Sequence, residues 1–89
     1  MIFGYTCAND VTARDLQRSD GQWSRAKGFD TFCPLGPAIL VAPDLESLEV
    51  RTRVNGVERQ HGRVGEMVFG FAELLSYASC RMTLEPGDL

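Results

Sequence analysis

Apolar and aromatic residues crowd residues 2–8 (IFGYTCA), which predicts a β-strand broken by Asn9-Asp10. A short helix is expected over residues 13–18, with Thr12 as its cap and Asp15 answering three residues on. Ser19-Asp20-Gly21 ends it. Helical spacing places Arg14 and Gln17 on one face and Ala13 and Leu16 on another. Pro34-Leu35-Gly36-Pro37 reads as a turn, followed by a short buried strand over residues 38–42 (AILVA). Residues 48–54 (LEVRTRV) alternate apolar and polar, as a half-exposed strand does. Asn55-Gly56 then signals a tight hairpin, with residues 57–60 returning as its partner. Residues 67–69 suggest a brief strand. Residues 71–82 form the one clear helix, with Gly70 as cap and Leu74, Leu75, Ala78 and Met82 at helical spacing. The pattern predicts an α+β fold, mainly β, with one full helix and one hairpin.

Composition adds little beyond an ordinary globular class: 44% hydrophobic, 24% charged and a net charge of −3. That balance gives no reason to expect nucleic acid as partner. No apolar run approaches the roughly 20 residues that span a bilayer, so no membrane partner is expected either. The 89 residues suffice for one small domain. The chain is already inside a strand at its second residue, which predicts a segment whose sheet neighbours lie elsewhere. Cys7, Cys33 and Cys80 are odd in number and far apart, which fits neither a disulfide framework nor a zinc site. They read as reduced thiols of a cytoplasmic protein, with Cys7 in the core. His61, the one histidine, lies outside any motif and reads as a surface residue.

Charge with chemical potential gathers in the first third: Asp10, Arg14, Asp15, Gln17 and Lys27. A hard divalent cation wants carboxylate oxygens. Arginine offers a planar fork of donors matched to a substrate carboxylate, and a lysine beside them can hold an anion or move a proton. These residues equally suit a solvated salt-bridge cluster, and spacing alone does not choose.

The residues themselves carry a resemblance. Gly4-Tyr5-Thr6 and Ala8-Asn9-Asp10-Val11-Thr12-Ala13-Arg14-Asp15-Leu16-Gln17 closely resemble the signature of the fumarylacetoacetate hydrolase family. The likeness continues through Trp23, Ala26-Lys27-Gly28-Phe29-Asp30-Thr31-Phe32, Cys33-Pro34-Leu35-Gly36-Pro37, Val54-Asn55-Gly56 and Met82-Thr83-Leu84-Glu85-Pro86-Gly87-Asp88. Several long matches in one order are far more specific than a single short motif.

The resemblance implies part of a mixed β-sandwich roll of the fumarylacetoacetase C-terminal type. It implies a metal-dependent hydrolase, decarboxylase or isomerase of small 2-oxo or β-diketo acids (acylpyruvate, fumarylpyruvate, oxaloacetate or hydroxyheptadienedioate type), as met in the catabolism of aromatic and related carbon compounds. Its members use Mg2+ or Mn2+ and are usually homodimers. By the same resemblance Asp10 is a metal ligand, Arg14 and Gln17 bind substrate, Lys27 is catalytic and substrate-binding, and Thr31 lies near the metal. Asp15 supports the helix start instead. The family pattern also has a Glu-x-Glu pair before the matched region, a His–Glu pair near a mobile N-terminal segment and a Thr-Gly-Thr-Pro loop after it, none of which occurs here. Residues 1–89 are therefore expected to be a fragment of a single catalytic domain, truncated at both ends and inactive in isolation. The alternative is a remnant that keeps the fold but lacks the full metal site.

Overall fold

The computed structural model describes residues 1–89, which form two compact units: Phe3–Pro43, and Met1–Ile2 with Asp44–Leu89.

In the Phe3–Pro43 unit the sequence turns back on itself without building a regular sheet. The expected strands at residues 2–8 and 38–42 are reduced to two isolated antiparallel bridges, Tyr5 with Leu40 and Ala8 with Leu35. Tyr5 and Leu40 exchange backbone hydrogen bonds of 2.9 and 2.8 Å, and the Gly36 N–H donates to the Cys7 carbonyl at 3.0 Å. Pro34 and Pro37 lack an N–H, so they cannot donate to a continuous ladder along this stretch. Residues 38–42 are also not buried: Ile39, Leu40 and Val41 are exposed. Cys7, expected in the core, is exposed too, and all three cysteines are free.

Two short helices follow. Helix α1 covers Arg14–Ser19, and α2 covers Ser24–Lys27. The expected α1 begins one residue later than the pattern suggested, and Thr12 does not cap it. Its hydroxyl instead donates to the Asp10 carbonyl at 2.9 Å, and Ala13 stands at the N-cap position without a side-chain bond. Helix α2 is a single turn that no hydrophobic period in the sequence announces. Gly21 makes the turn between them with φ of +68°, a left-handed conformation that costs glycine little. Ala26 of α2 is the one fully buried residue of the chain.

The second unit is led by a hairpin. Strand β1 (Glu49–Val54) pairs antiparallel with β2 (Val57–Arg63) through Asn55 and Gly56. Both turn residues have positive φ, +51° and +79°, as the two-residue hairpin turn that matches strand twist requires. The return strand runs past residue 60 to Arg63, with a bulge opposite Thr52/Arg53. Cross-strand partners share a face, so the register puts Glu49, Arg51, Arg53, Glu58, His61 and Arg63 together on one side. Val50, Thr52, Val54, Val57, Gln60 and Gly62 lie on the other.

Residues 67–69 are not a strand. A 3₁₀ turn over Val64–Glu66 precedes them, and the Met67 N–H closes it on the Val64 carbonyl. Helix α3 (Phe71–Ser79) is three residues shorter than its hydrophobic period suggested. Arg81 ends it by folding back: its Nη1 donates to the Tyr77 carbonyl at 3.0 Å, and its guanidinium lies 3.7 Å from the Tyr77 ring centre. A cation at the C-terminal turn satisfies an otherwise unpaired carbonyl and suits the helix dipole. Leu74, Leu75 and Met82, at core spacing in the sequence, are exposed in this chain. No helix is long and apolar enough to cross a membrane.

Candidate functional site

The backbone from Asn9 to Ala13 is pinned from several sides. The Asn9 N–H donates to the Pro34 carbonyl at 3.2 Å, the Val11 N–H to the Asn9 carbonyl at 2.8 Å, and the Ala13 N–H to the Ala26 carbonyl at 2.9 Å. The last of these ties the start of α1 to α2. It thereby brings Asp10, just before α1, to Lys27, at the end of α2. The Lys27 ammonium and the Asp10 carboxylate form an ion pair across 17 positions of sequence. Lys27 also stands 5.6 Å from the centre of the Trp23 ring, within the reach of a cation–π attraction. The lysine side chain is 29% exposed and the aspartate 69%, so the acid is open to solvent while the lysine is mostly covered. Lys27 is the only lysine among the 89 residues, against eight arginines.

Arg14 and Gln17 meet as their helical spacing requires: Arg14 Nη1 donates to Gln17 Oε1 at 2.8 Å. That bond occupies one of the two lone pairs of Oε1. The pair still presents the rest of the guanidinium fork and the amide NH₂. Such donors suit a carboxylate. Thr31 lies four residues beyond Lys27 with φ of +70°, an uncommon conformation for a β-branched residue. No hydrogen bond joins it to Asp10, Arg14, Gln17 or Lys27.

Sequence reasoning passed over a second ion pair in the same unit. Asp20, at the C-cap of α1, takes Arg25 of α2 in a two-pronged contact: Nε to Oδ2 at 2.7 Å and Nη2 to Oδ1 at 2.6 Å. Ser19 Oγ donates to Oδ1 as well, at 2.9 Å. The hydrogen bonds from Arg25, and secondarily from Ser19, hold the Asp20 carboxyl below the usual range, while Asp20 raises Arg25 further. The available signal was an acid and a base flanking Gly21, five residues apart.

The hairpin carries the other charge cluster. Glu49 receives Arg51 Nη2 at 2.5 Å, Arg63 Nε at 3.2 Å and His61 Nε2 at 3.3 Å. Arg51 above all, with help from His61, lowers the Glu49 carboxyl below its ordinary value. His61 thus sits inside the hairpin, not beyond it, and stays partly exposed. The opposite face, with Val50, Gly62, Val64, Met67 and Phe71, borders an open apolar concavity of about 270 Å³. None of the five residues expected at the site lies there.

The Lys27–Asp10 pair lies within the ordered family signature. The family described as fumarylacetoacetate (FAA) hydrolase C-terminal matches residues 1–89. The chain belongs to the fumarylacetoacetate hydrolase family. A solved 5-carboxymethyl-2-hydroxymuconate delta-isomerase from Mycobacterium smegmatis is 53% identical. It superposes with a TM-score of 0.94 over 99% of this chain and 35% of its own. The 2-hydroxyhepta-2,4-diene-1,7-dioate isomerase from Mycobacterium marinum is 54% identical, with a TM-score of 0.92 over 98% of this chain and 34% of that one. Oxaloacetate tautomerase YisK of Bacillus subtilis is 46% identical over 91 residues, 99% of this chain and 30% of that protein. The chain spans about a third of the length of the curated relatives it matches. Its small α+β architecture is that of part of a fumarylacetoacetate hydrolase family domain.

The family resemblance implies a divalent cation, and Asp10 has the right chemistry for one ligand: a hard oxygen donor, largely exposed. The chain brings no three His, Cys, Asp or Glu side chains together as a metal-binding group. Its residues therefore fit such an ion as one contributor and not as a complete shell.

Proposed function

We propose that this segment belongs to an enzyme that interconverts keto and enol forms of small 2-oxo dicarboxylates, of the oxaloacetate or hydroxydienedioate type. Hydrolysis or decarboxylation of related β-dicarbonyl acids shares the same intermediate, an enolate next to a carboxylate. The observation that carries the reading is the pairing of Lys27 with Asp10 inside the family signature, with the donor pair Arg14–Gln17 on the helix between them. The names of the similar isomerases and of the oxaloacetate tautomerase support the substrate class.

In this reading Arg14 binds the substrate carboxylate through its planar fork, and Gln17 holds that fork in orientation. Lys27 donates a hydrogen bond to the 2-oxo oxygen, which gains negative charge as a general base takes the α-proton and the C–H electron pair moves into the enolate, the transition-state role that such a donor serves best. Trp23 and Asp10 limit where the ammonium can go. Asp10 would contribute one ligand to Mg2+ or Mn2+, and the family resemblance would put Thr31 near that ion. Such an ion supplies Lewis acidity at the 2-oxo group.

The test is made in the full-length protein carrying these residues. Oxaloacetate enolisation is followed by absorbance, with Mg2+ or Mn2+ supplied and then removed by chelation. The expected result is metal-dependent turnover that Asp10→Ala abolishes, together with a weaker metal affinity measured by calorimetry. Wild-type turnover and unchanged metal affinity in Asp10→Ala would remove Asp10 from the site.

A further inference from the structure

We propose that Asp20 and Arg25 are positioning residues: their two-pronged ion pair fixes α2 against α1 and so sets Lys27 against Asp10. This role rests on the function proposed above, in which Lys27 acts at the substrate.

Helix α1 has six residues and α2 four. Isolated helices shorter than roughly 12 residues are marginal in water, so neither holds its own direction. The residues proposed for chemistry are split between them. Arg14 and Gln17 ride on α1, Asp10 precedes it, and Lys27 closes α2. The angle between two weak helices therefore decides whether the four groups meet one substrate.

Two connections set that angle. At one end the Ala13 N–H bonds the Ala26 carbonyl at 2.9 Å. At the other, Asp20 and Arg25 join with two short bonds. A single backbone bond leaves α2 free to swing about it; a second anchor at the far end of α1 stops the swing. The turn between the helices, with Gly21 in the left-handed region, supplies no rigidity of its own.

The geometry of this pair separates it from ordinary surface ion pairs. Most exposed pairs hold two long flexible side chains and contribute little. Here Nε and Nη2 of one guanidinium engage the two carboxylate oxygens, one each, which adds direction as well as attraction. The Asp20 side chain is 20% exposed and takes a third bond from Ser19. Arg25 stands two residues before Lys27, on the same turn of helix whose Lys27 N–H bonds the Trp23 carbonyl at 3.1 Å. Displacing Arg25 displaces the Trp23–Lys27 turn with it.

The experiment uses the full-length protein with Asp20→Asn, Arg25→Gln, and the charge-swapped double variant Asp20→Arg/Arg25→Asp. Two readings are taken. The first is the rate at which an amine-specific acylating reagent modifies Lys27, followed by peptide mass spectrometry; it needs no substrate. The second is kcat and KM for oxaloacetate. Each single variant should label Lys27 severalfold faster, because the ammonium leaves Asp10 and the Trp23 face. Each should also lower kcat about 10-fold with little change in KM, as misplacement of a reacting group does. The swap should restore most of both. Unchanged labelling in folded single variants overturns the positioning role. So does a swap that folds but labels like the single variants, or a set in which none of the three variants folds. If a single variant unfolds while the swap folds and labels as wild type, the pair is confirmed as the anchor. Labelling that responds as expected in a protein without turnover of any 2-oxo acid would uphold the clamp and sink the proposed function instead.

Discussion

The Phe3–Pro43 unit and the hairpin each gather acids and arginines, but they use them differently. In the hairpin, Glu49 meets Arg51, His61 and Arg63 because strand register lays alternate residues side by side. The contacts follow from the ladder, whose backbone pairing uses none of these side chains. In the first unit the ladder is missing. Asp10–Lys27 and Asp20–Arg25 join segments that share no strand ladder and are tied by the single Ala13–Ala26 backbone bond. There the ion pairs decorate no scaffold; they help make one. Identical chemistry therefore has different consequences, depending on whether the backbone beneath it is already fixed.

The largest effect that could break this comparison comes from removing one cation in each cluster of the full-length protein. Lys27→Ala should lower kcat for oxaloacetate by about 100-fold or more, as loss of a donor at a developing anion does. Arg51→Ala should leave kcat and KM within the error of a steady-state assay. If Lys27→Ala raised only KM, the lysine would bind ground and transition states alike. An equal fall in both variants would show that the hairpin cluster also serves the site.

A finer comparison uses two glycines. Gly21 and Gly56 both sit at positive φ, +68° and +79°, and a Cβ added to either meets nothing within 4 Å. Gly21→Ala and Gly56→Ala should therefore each destabilise by the same backbone term, about 1 to 2 kcal/mol, read from denaturant midpoints. Only Gly21→Ala should also lower kcat, because only that turn lies between the two helices that carry the proposed site residues. Matching kinetics in the two variants would argue that the turn after α1 has no bearing on the chemistry.

The smallest expected effects are in acid. Glu49 and Asp20 both have their carboxyl pKa depressed in the folded chain, chiefly by Arg51 and by Arg25 respectively. A depressed folded value contributes stability above the unfolded value and loses it as pH falls through the folded one. The loss should thus begin below about pH 4.5, where free carboxyls start to protonate. Carbon-13 NMR of the carboxyl groups should place both midpoints below those of free side chains. Arg51→Gln should raise the Glu49 midpoint alone, and Arg25→Gln the Asp20 midpoint alone. A Glu49 midpoint indifferent to Arg51 would dissolve the hairpin cluster as described.

Much of the second unit was legible beforehand because its signals are local. Asn55-Gly56 demands positive φ at two adjacent residues, and alternation on either side supplies a strand pair. Even there the return strand ran on to Arg63, since the pairing of His61 with Arg51 and of Arg63 with Glu49 exists only across the ladder. Arg14–Gln17 was equally legible, being one helical turn apart. The strands expected at residues 2–8 and 38–42 were not realised: apolar composition cannot tell how many N–H groups a proline-interrupted partner leaves for pairing. Helix α2 was invisible because four residues hold no period. Asp20–Arg25 was missed for the same reason, since its meaning depends on a helix on each side of Gly21.

The sequence by itself determined the family, through long ordered matches, and with it the chemical types at Asp10, Arg14, Gln17, Lys27 and Thr31. It also determined the hairpin, the turn after α1 and the main helix, where propensity and periodicity act over a few neighbouring residues. Only the tertiary structure decided that Lys27 faces Asp10 and Trp23, that Asp20 takes Arg25, and that Ala26 is the residue packed away from water. Each of those facts depends on where separate segments meet in space. That is set by the backbone bonds from Asn9 to Pro34 and from Ala13 to Ala26, which no local pattern encodes.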